Sequence, residues 1–236
     1  MGRAFEYRKA AKMKRWGNMS RVFPKLQKAI TLAAKGGGSD PELNPALRTA
    51  INTAKAQNLP KDNIESAIKR ATAKDAANLA EVNYEGKWQH GVLVFVEAAT
   101  DNNTRTVANV KNIFHKAGGT MVPSGSLEFM FSRKAVFELK KPDMDLEELE
   151  LELIDAGLEE IKEEDDEHIS IIADYTDFGA MSNKLDELKI EYEKGSLQRI
   201  PNTPIEITDQ EMNELSKLLE KLEDDEDVQN VYTNLE

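Results

Sequence analysis

The chain has 236 residues, of which 40% are hydrophobic and 31% are charged, and its formal net charge is -12. This balance is typical of folded globular proteins, and the length suits two or three domains. The absence of cysteine excludes disulfides, thiolate metal sites and cysteine nucleophiles. Because no segment has the apolar length of a signal peptide or a membrane span, we expect a cytoplasmic protein without a membrane partner.

The charge is divided unequally along the chain. Residues 1–74 contain 16 Lys and Arg against five Asp and Glu, whereas residues 75–236 contain 15 against 38. The first segment therefore carries +11 and the second -23. A polyanion would be attracted to the first segment and repelled by the second.

Residues 1–74 carry helix signals and no strand signal. Apolar residues at three- and four-residue spacing predict helices over residues 20–35 and 61–72, with a further basic helix over 4–15. Asn44-Pro45 is an N-cap followed by proline, so another helix starts there and ends before Asn58. Residues 73–81 are expected to form a linker.

Strand and helix patterns alternate after residue 82. The run Val92–Val96 predicts a central strand, followed by a helix near 104–117 and a strand over 126–131. The next part predicts a β-α-β-β-α-β series, with strands at 135–139, 158–162, 168–173 and 190–200 and with helices starting at Asp145 and Asp177. The last part predicts a strand at 205–207, a helix after Thr208 and a strand at 228–232.

This order predicts an α+β protein with a helical N-terminal domain followed by two ferredoxin-like α/β domains, one inserted in the other. The expected domains are residues 1–79, residues 80–132 together with 204–236, and residues 133–203. Tandem packing stays open at this point, because the sequence does not show which strands pair.

Catalytic motifs are absent from the sequence. It contains no phosphate-binding loop, dinucleotide fingerprint, zinc-protease motif or nucleophile elbow, and its three histidines are dispersed. The acidic run 163–167 beside His168 lacks the spacing of a calcium loop and is typical of a solvated hairpin. The sequence thus predicts no catalytic residue, metal, cofactor or small-molecule substrate. A ligand-binding or enzymatic role of the ferredoxin-like domains is a separate hypothesis, for which no residue can be nominated.

The basic block at the N-terminus is the candidate binding surface. In a helix over 4–15, Arg8, Lys12 and Arg15 share one face, and Arg21, Lys25 and Lys28 repeat this spacing. Clustered cations neutralise phosphates, and interleaved aromatic rings stack on bases. The predicted nucleic-acid-binding residues are Arg3, Tyr7, Arg8, Lys9, Lys12, Lys14, Arg15, Trp16, Arg21, Lys25, Lys28, Lys69 and Arg70. The alternative interpretation is a solvated helix, or docking against the acidic region 143–167 of the same chain.

Extended motifs also indicate a family. They include Arg8-Lys9-Ala10-Ala11, Ala33-Ala34-Lys35-Gly36-Gly37-Gly38, Pro60-Lys61-Asp62-Asn63-Ile64-Glu65, Thr100-Asp101-Asn102 and Ile200-Pro201-Asn202. With these motifs the chain resembles the YebC family of bacterial transcriptional regulators, which includes a mitochondrial translational activator of cytochrome oxidase. The resemblance implies three domains, with DNA binding and transcriptional control in some members and ribosome-linked translation in others.

Two segments depart from the family pattern. The usual opening Gly-His-Ser-Lys-Trp is replaced by Gly2-Arg3-Ala4-Phe5-Glu6-Tyr7, and a usual glycine-rich stretch is replaced by Lys87-Trp88-Gln89-His90-Gly91. The leading hypothesis is a non-catalytic transcriptional regulator that binds DNA through its basic helical domain. The alternative is a translation factor that binds ribosomal RNA with the same surface and has the ribosome as its partner.

Overall fold

The structure, a computed structural model, describes residues 19–72 and 78–236. Its first part contains three helices, α1 (Met19–Gly37), α2 (Pro45–Ala56) and α3 (Lys61–Arg70), as the sequence predicts. The Asn44 side chain accepts the Leu47 N–H at 3.0 Å, which confirms the predicted cap of α2. The three helices share an apolar core around Ile30, Leu47 and Ile64. The helix expected over 4–15 and most of the expected linker lie outside the described residues.

The rest of the chain alternates strands and helices. In chain order these are β1 (Ala80–Lys87), β2 (Leu93–Thr100), α4 (Asn103–Lys116), β3 (Thr120–Val122), β4 (Phe131–Lys140), α5 (Leu146–Ile154), β5 (Leu158–Glu163), β6 (His168–Asp174), α6 (Phe178–Glu187), β7 (Lys194–Pro201), α7 (Asp209–Asp224) and β8 (Val228–Thr233). Helix α7 begins with the predicted capping box between Thr208 and Glu211. Within the described residues, no helix is both long and apolar enough to cross a membrane.

The strands form two antiparallel sheets, and the α+β fold class is confirmed. The first sheet has the order β3-β1-β2-β8, so it takes strands from both sides of residues 131–201. Its core lies between the sheet and helices α4 and α7, where Val94, Val96 and Phe114 meet Leu215 and Leu219. The second sheet has the order β5-β6-β4-β7, which is the ferredoxin-like arrangement. The exact domain boundaries stay a prediction.

Three local predictions are wrong. Residues 126–131 form a turn and a short 3-10 helix rather than a strand, because the Glu85 carboxylate accepts the backbone N–H groups of Gly125 and Leu127. The third strand instead lies immediately after α4, at Thr120–Val122. Strand β1, with its polar residues and a glycine, was not expected as a separate strand. Near 205–207 the backbone forms only the bridge between Ile205 and Leu235.

An apolar joint connects the two sheets. Phe95, Leu127 and Phe131 are buried in one cluster between them. The Arg199 guanidinium lies 3.9 Å from the centre of the Phe95 ring, and its Nε donates to Glu97 at 2.9 Å. Because this joint combines apolar burial with a covered ion pair, the two α/β parts are held together firmly.

A glycine of β1 allows helix α4 to approach the first sheet. A β-carbon at Gly86 would overlap the ring of Phe114. We expect Gly86→Ala to lower the free energy of unfolding by about 2 kcal/mol or more, because neither the strand nor the buried ring can move freely. Urea unfolding followed by circular dichroism measures this change.

Gly36 is the matched control. It lies in the last turn of α1, where an added β-carbon meets nothing within 4 Å. Gly36→Ala is therefore expected to leave stability unchanged or raise it by up to about 1 kcal/mol, since alanine is the better helix former. Equal destabilisation by both substitutions would contradict the packing argument.

Candidate nucleic-acid interface

The structure describes part of the predicted interface. Eight predicted residues lie outside the described part of the chain: Arg3, Tyr7, Arg8, Lys9, Lys12, Lys14, Arg15 and Trp16. Arg21 belongs to α1, but its side chain is not among those described. The four residues whose side chains can be placed are Lys25, Lys28, Lys69 and Arg70, and they fall into two pairs with different surroundings.

Lys69 and Arg70 are exposed at the C-terminal end of α3. Two cations suit this position, because the helix dipole places partial negative charge there. Lys55 on α2 and Lys61 at the start of α3 are also exposed. These four side chains give the described part of the helical domain cations that a phosphate backbone can reach.

Lys25 and Lys28 contact the acidic end of α7 instead. The Lys25 ammonium donates to the backbone carbonyl of Glu223 at 2.5 Å. Lys28 donates to the Asp227 carboxylate at 2.6 Å and to the Glu226 carbonyl at 2.9 Å. We call residues 223–227 the acidic segment. For these two lysines, the docking region considered from the sequence, 143–167, is wrong, and the acidic segment takes its place.

Asp227 is the centre of this contact. Its carboxylate is 5% exposed and accepts hydrogen bonds from Lys28, from Arg105 at 2.8 Å and from Thr106 at 2.7 Å. Burial raises the pKa of Asp227, but these hydrogen bonds outweigh it and lower the pKa from 3.8 to about 2. The charged carboxylate therefore stabilises the fold above about pH 4, and this contribution is lost as the pH falls towards 2.

The surroundings of Lys25 disfavour its charged ammonium. Its burial lowers the pKa from 10.5 to about 8, although Glu223, Asp225 and Asp224 act in the opposite direction. A shift in this direction means that the loss of water around the buried ammonium outweighs its attraction to the carboxylates of the acidic segment. The docked position thus opposes the charge that nucleic-acid binding would use.

A second contact joins the helical domain to the ferredoxin-like part. Arg48 Nη2 on α2 donates to Asn183 Oδ1 at 2.9 Å and lies 3.3 Å from Asp186 Oδ2. Next to it, the hydroxyls of Thr49 and Tyr192 are 3.3 Å apart. The sequence does not single out Arg48 and Asp227, because their roles come from contacts between residues more than 120 positions apart. The acidic run at 223–227 was the one available signal.

The acidic run at 163–167 forms the expected turn between β5 and β6. The Asp165 carboxylate accepts the backbone N–H groups of Glu167 and His168, each at 2.8 Å, and lies 2.9 Å from the His168 ring nitrogen Nδ1. These contacts account for the side chain as part of a hairpin. Across residues 19–72 and 78–236, no group of three His, Asp or Glu side chains is placed to hold a metal ion.

Comparison with known proteins identifies the class. The profile of the TACO1/YebC N-terminal domain matches residues 3–74, and that of the TACO1/YebC second and third domains matches residues 79–235. The chain therefore belongs to the TACO1/YebC family.

Similar proteins cover the whole chain. It is 62% identical to a "probable transcriptional regulatory protein" of Campylobacter fetus and 61% identical to one of Sulfurimonas denitrificans, in each case over 100% of both chains. The crystal structure of a conserved hypothetical protein from Aquifex aeolicus matches with a TM-score of 0.80 and 35% identity, covering 93% of this chain and 90% of that one. The chain is thus similar over its whole length to proteins named as probable transcriptional regulators.

Asp227→Asn tests the contact at the acidic segment. The substitution keeps the shape of the side chain but leaves the Lys28 and Arg105 cations without their shared carboxylate. We expect a loss of about 2 to 3 kcal/mol in the free energy of unfolding, measured with urea near pH 7. Glu160→Gln, an equal change of charge at an exposed position of β5, should cost less than about 0.5 kcal/mol. Equal effects would show that Asp227 has no special role.

The pKa of Lys25 gives a prediction at alkaline pH. Between about pH 8 and 10.5 the unfolded chain holds a proton on Lys25 that the folded chain has lost, so stability from this group rises with pH. Lys25→Met removes this dependence while leaving other titrations in place. The free energy of unfolding of the natural protein minus that of Lys25→Met should increase from pH 7 to pH 10. A constant difference would mean that the ammonium is not disfavoured when docked.

Proposed function

We propose that this protein is a non-catalytic transcriptional regulator that binds duplex DNA through its basic helical domain. The observation that carries the proposal is the charge of +11 on residues 1–74 of a chain whose total is -12. This segment is matched almost entirely by the family's N-terminal domain, and full-length relatives are named as transcriptional regulators.

The exposed charged side chains divide the described surface into a basic part and an acidic part. Lys55, Lys61, Lys69 and Arg70 are exposed on α2 and α3. By contrast, α5 and the β5–β6 hairpin carry mainly Glu and Asp at exposed positions. A phosphate backbone is attracted to the helical domain and repelled by the inserted part, so the molecule approaches DNA with its helical end.

The sequence predicts further residues of this surface before residue 19, outside the described part of the chain. Arg8 and Lys12 belong to the predicted helix 4–15, and Tyr7 and Trp16 flank its cations. Cations that neutralise phosphates release counterions, so binding has a steep dependence on salt. Positive charge attracts duplex DNA and ribosomal RNA alike. The test therefore compares the affinities of the protein for the two nucleic acids.

The test is the double substitution Arg8→Glu with Lys12→Glu. Fluorescence anisotropy with a labelled 20-base-pair duplex should show affinity reduced by about tenfold or more at low salt. The slope of log affinity against log salt should fall by about 2, because two phosphate contacts are lost.

The matched control is Lys140→Glu with Lys162→Glu. Both lysines are exposed in the inserted part, and the change of net charge is the same. This control should retain most of the affinity. If the two double variants bind equally well, the basic block is not the binding surface. If a ribosomal RNA fragment binds much more tightly than the duplex, the translation alternative replaces the transcriptional one.

A further inference from the structure

Oxygen atoms of the acidic segment lie against the face of α1 that carries Lys25 and Lys28. Lys25 and Lys28 are three residues apart, so their side chains leave the helix on one side. Both ammonium groups bind oxygen atoms of the acidic segment, whose five residues are all Glu or Asp. A phosphate backbone also presents closely spaced anionic oxygens, to which lysine makes charge-assisted hydrogen bonds. The acidic segment therefore occupies a surface that suits nucleic acid.

The joint between the helical domain and the rest of the protein is mainly polar. None of the four apolar clusters among the described residues combines side chains of α1–α3 with side chains after residue 78. The contacts that join them are mainly hydrogen bonds and ion pairs, including one from Lys35 to the Leu79 carbonyl at 2.9 Å. Interfaces of this kind allow domains to move relative to each other.

Two features weaken the docked arrangement further. The Nε of Arg48 is buried and has no hydrogen-bond partner among the described residues, and such an orphaned group reduces what the contact contributes. Burial also lowers the pKa of Lys25 to about 8, so its ammonium is more stable away from the joint. The docked arrangement is therefore less stable than the number of its polar contacts suggests.

If Lys28 moves away, the Asp227 carboxylate still has hydrogen-bond donors and is not left unpaired. The Asp227 carboxylate keeps Arg105 and Thr106 as partners on α4, and a third partner, the Thr100 hydroxyl, lies at 3.3 Å. A buried carboxylate that stays paired costs far less than an unpaired one. The α/β part can therefore keep its structure whether the helical domain is docked or released.

We infer that nucleic acid and the acidic segment compete for Lys25 and Lys28, so that binding a phosphate backbone on this face of α1 releases the helical domain from the α/β domains. This inference rests on the proposed function, since it concerns the same ligand and the same domain. The acidic segment then acts as an internal competitor that lowers affinity for weakly bound polyanions.

Arg48→Gln separates competition from simple charge attraction. It removes a cation from the helical domain, so charge alone predicts weaker binding. Because it breaks the contact with Asn183 and Asp186, competition predicts the opposite, an affinity for a 20-base-pair duplex raised by about threefold or more. Lys55→Gln is the matched control, since Lys55 lies exposed on the same helix. It should bind as the natural protein does or more weakly.

Movement of the domain is measured with spin labels. The chain has no cysteine, so Ser66→Cys on α3 and Lys217→Cys on α7, both exposed, can be labelled cleanly. Electron-electron double resonance on the doubly labelled full chain should give a narrow distance distribution without ligand. Saturating duplex should shift the distribution to longer and broader distances, and Arg48→Gln should do so in part without any duplex.

The outcomes distinguish this inference from the proposed function. Longer label distances with duplex, together with tighter binding by Arg48→Gln, support the competition. If duplex binds but the distances stay the same, or if Arg48→Gln binds no more tightly than Lys55→Gln, the competition is overturned while DNA binding stands. If neither the natural protein nor Arg48→Gln binds duplex, the proposed function fails, and the competition fails with it.

Discussion

The Asp227 carboxylate brings together the parts of the protein on which the proposed function depends. It accepts hydrogen bonds from Lys28 on α1 and from Arg105 and Thr106 on α4. Its own backbone carbonyl accepts the Ala99 N–H of β2 at 2.7 Å. One residue, through its side chain and its backbone carbonyl, thereby fixes the entry to β8, the start of α4 and the helical domain. A buried charge needs several donors, and Asp227 obtains them from two domains.

The two joints of the molecule differ in their chemistry. The two sheets share Phe95, Leu127 and Phe131, so separating them would expose apolar surface to water. The helical domain is held mainly by ion pairs and hydrogen bonds, which water and salt ions can replace. The α/β domains therefore form a stable body, and the movement that we propose takes place at the joint of the helical domain. The polar joint thus belongs to the same domain that carries the positive charge of the sequence.

Much of the fold could be predicted from local patterns. The helices starting at Pro45 and Asp209 follow from their cap residues, and the ferredoxin-like series follows from its alternating periods. The strand β1 and the turn at 123–130 could not, because β1 depends on its pairing with β2 and β3 and the turn depends on hydrogen bonds to Glu85, about 40 positions away. Likewise, the cations of the site were visible in the sequence, but the partners of Lys25 and Lys28 lie almost 200 residues away.

Contact between DNA and the helical domain can be measured in cells. Ultraviolet crosslinking of the full-length protein, followed by mass spectrometry of crosslinked peptides and sequencing of all bound DNA and RNA, reports the surface and the ligand together. We expect crosslinks within residues 1–72 and recovery of chromosomal DNA. Crosslinks confined to residues 133–203, or recovery of RNA alone, would contradict it.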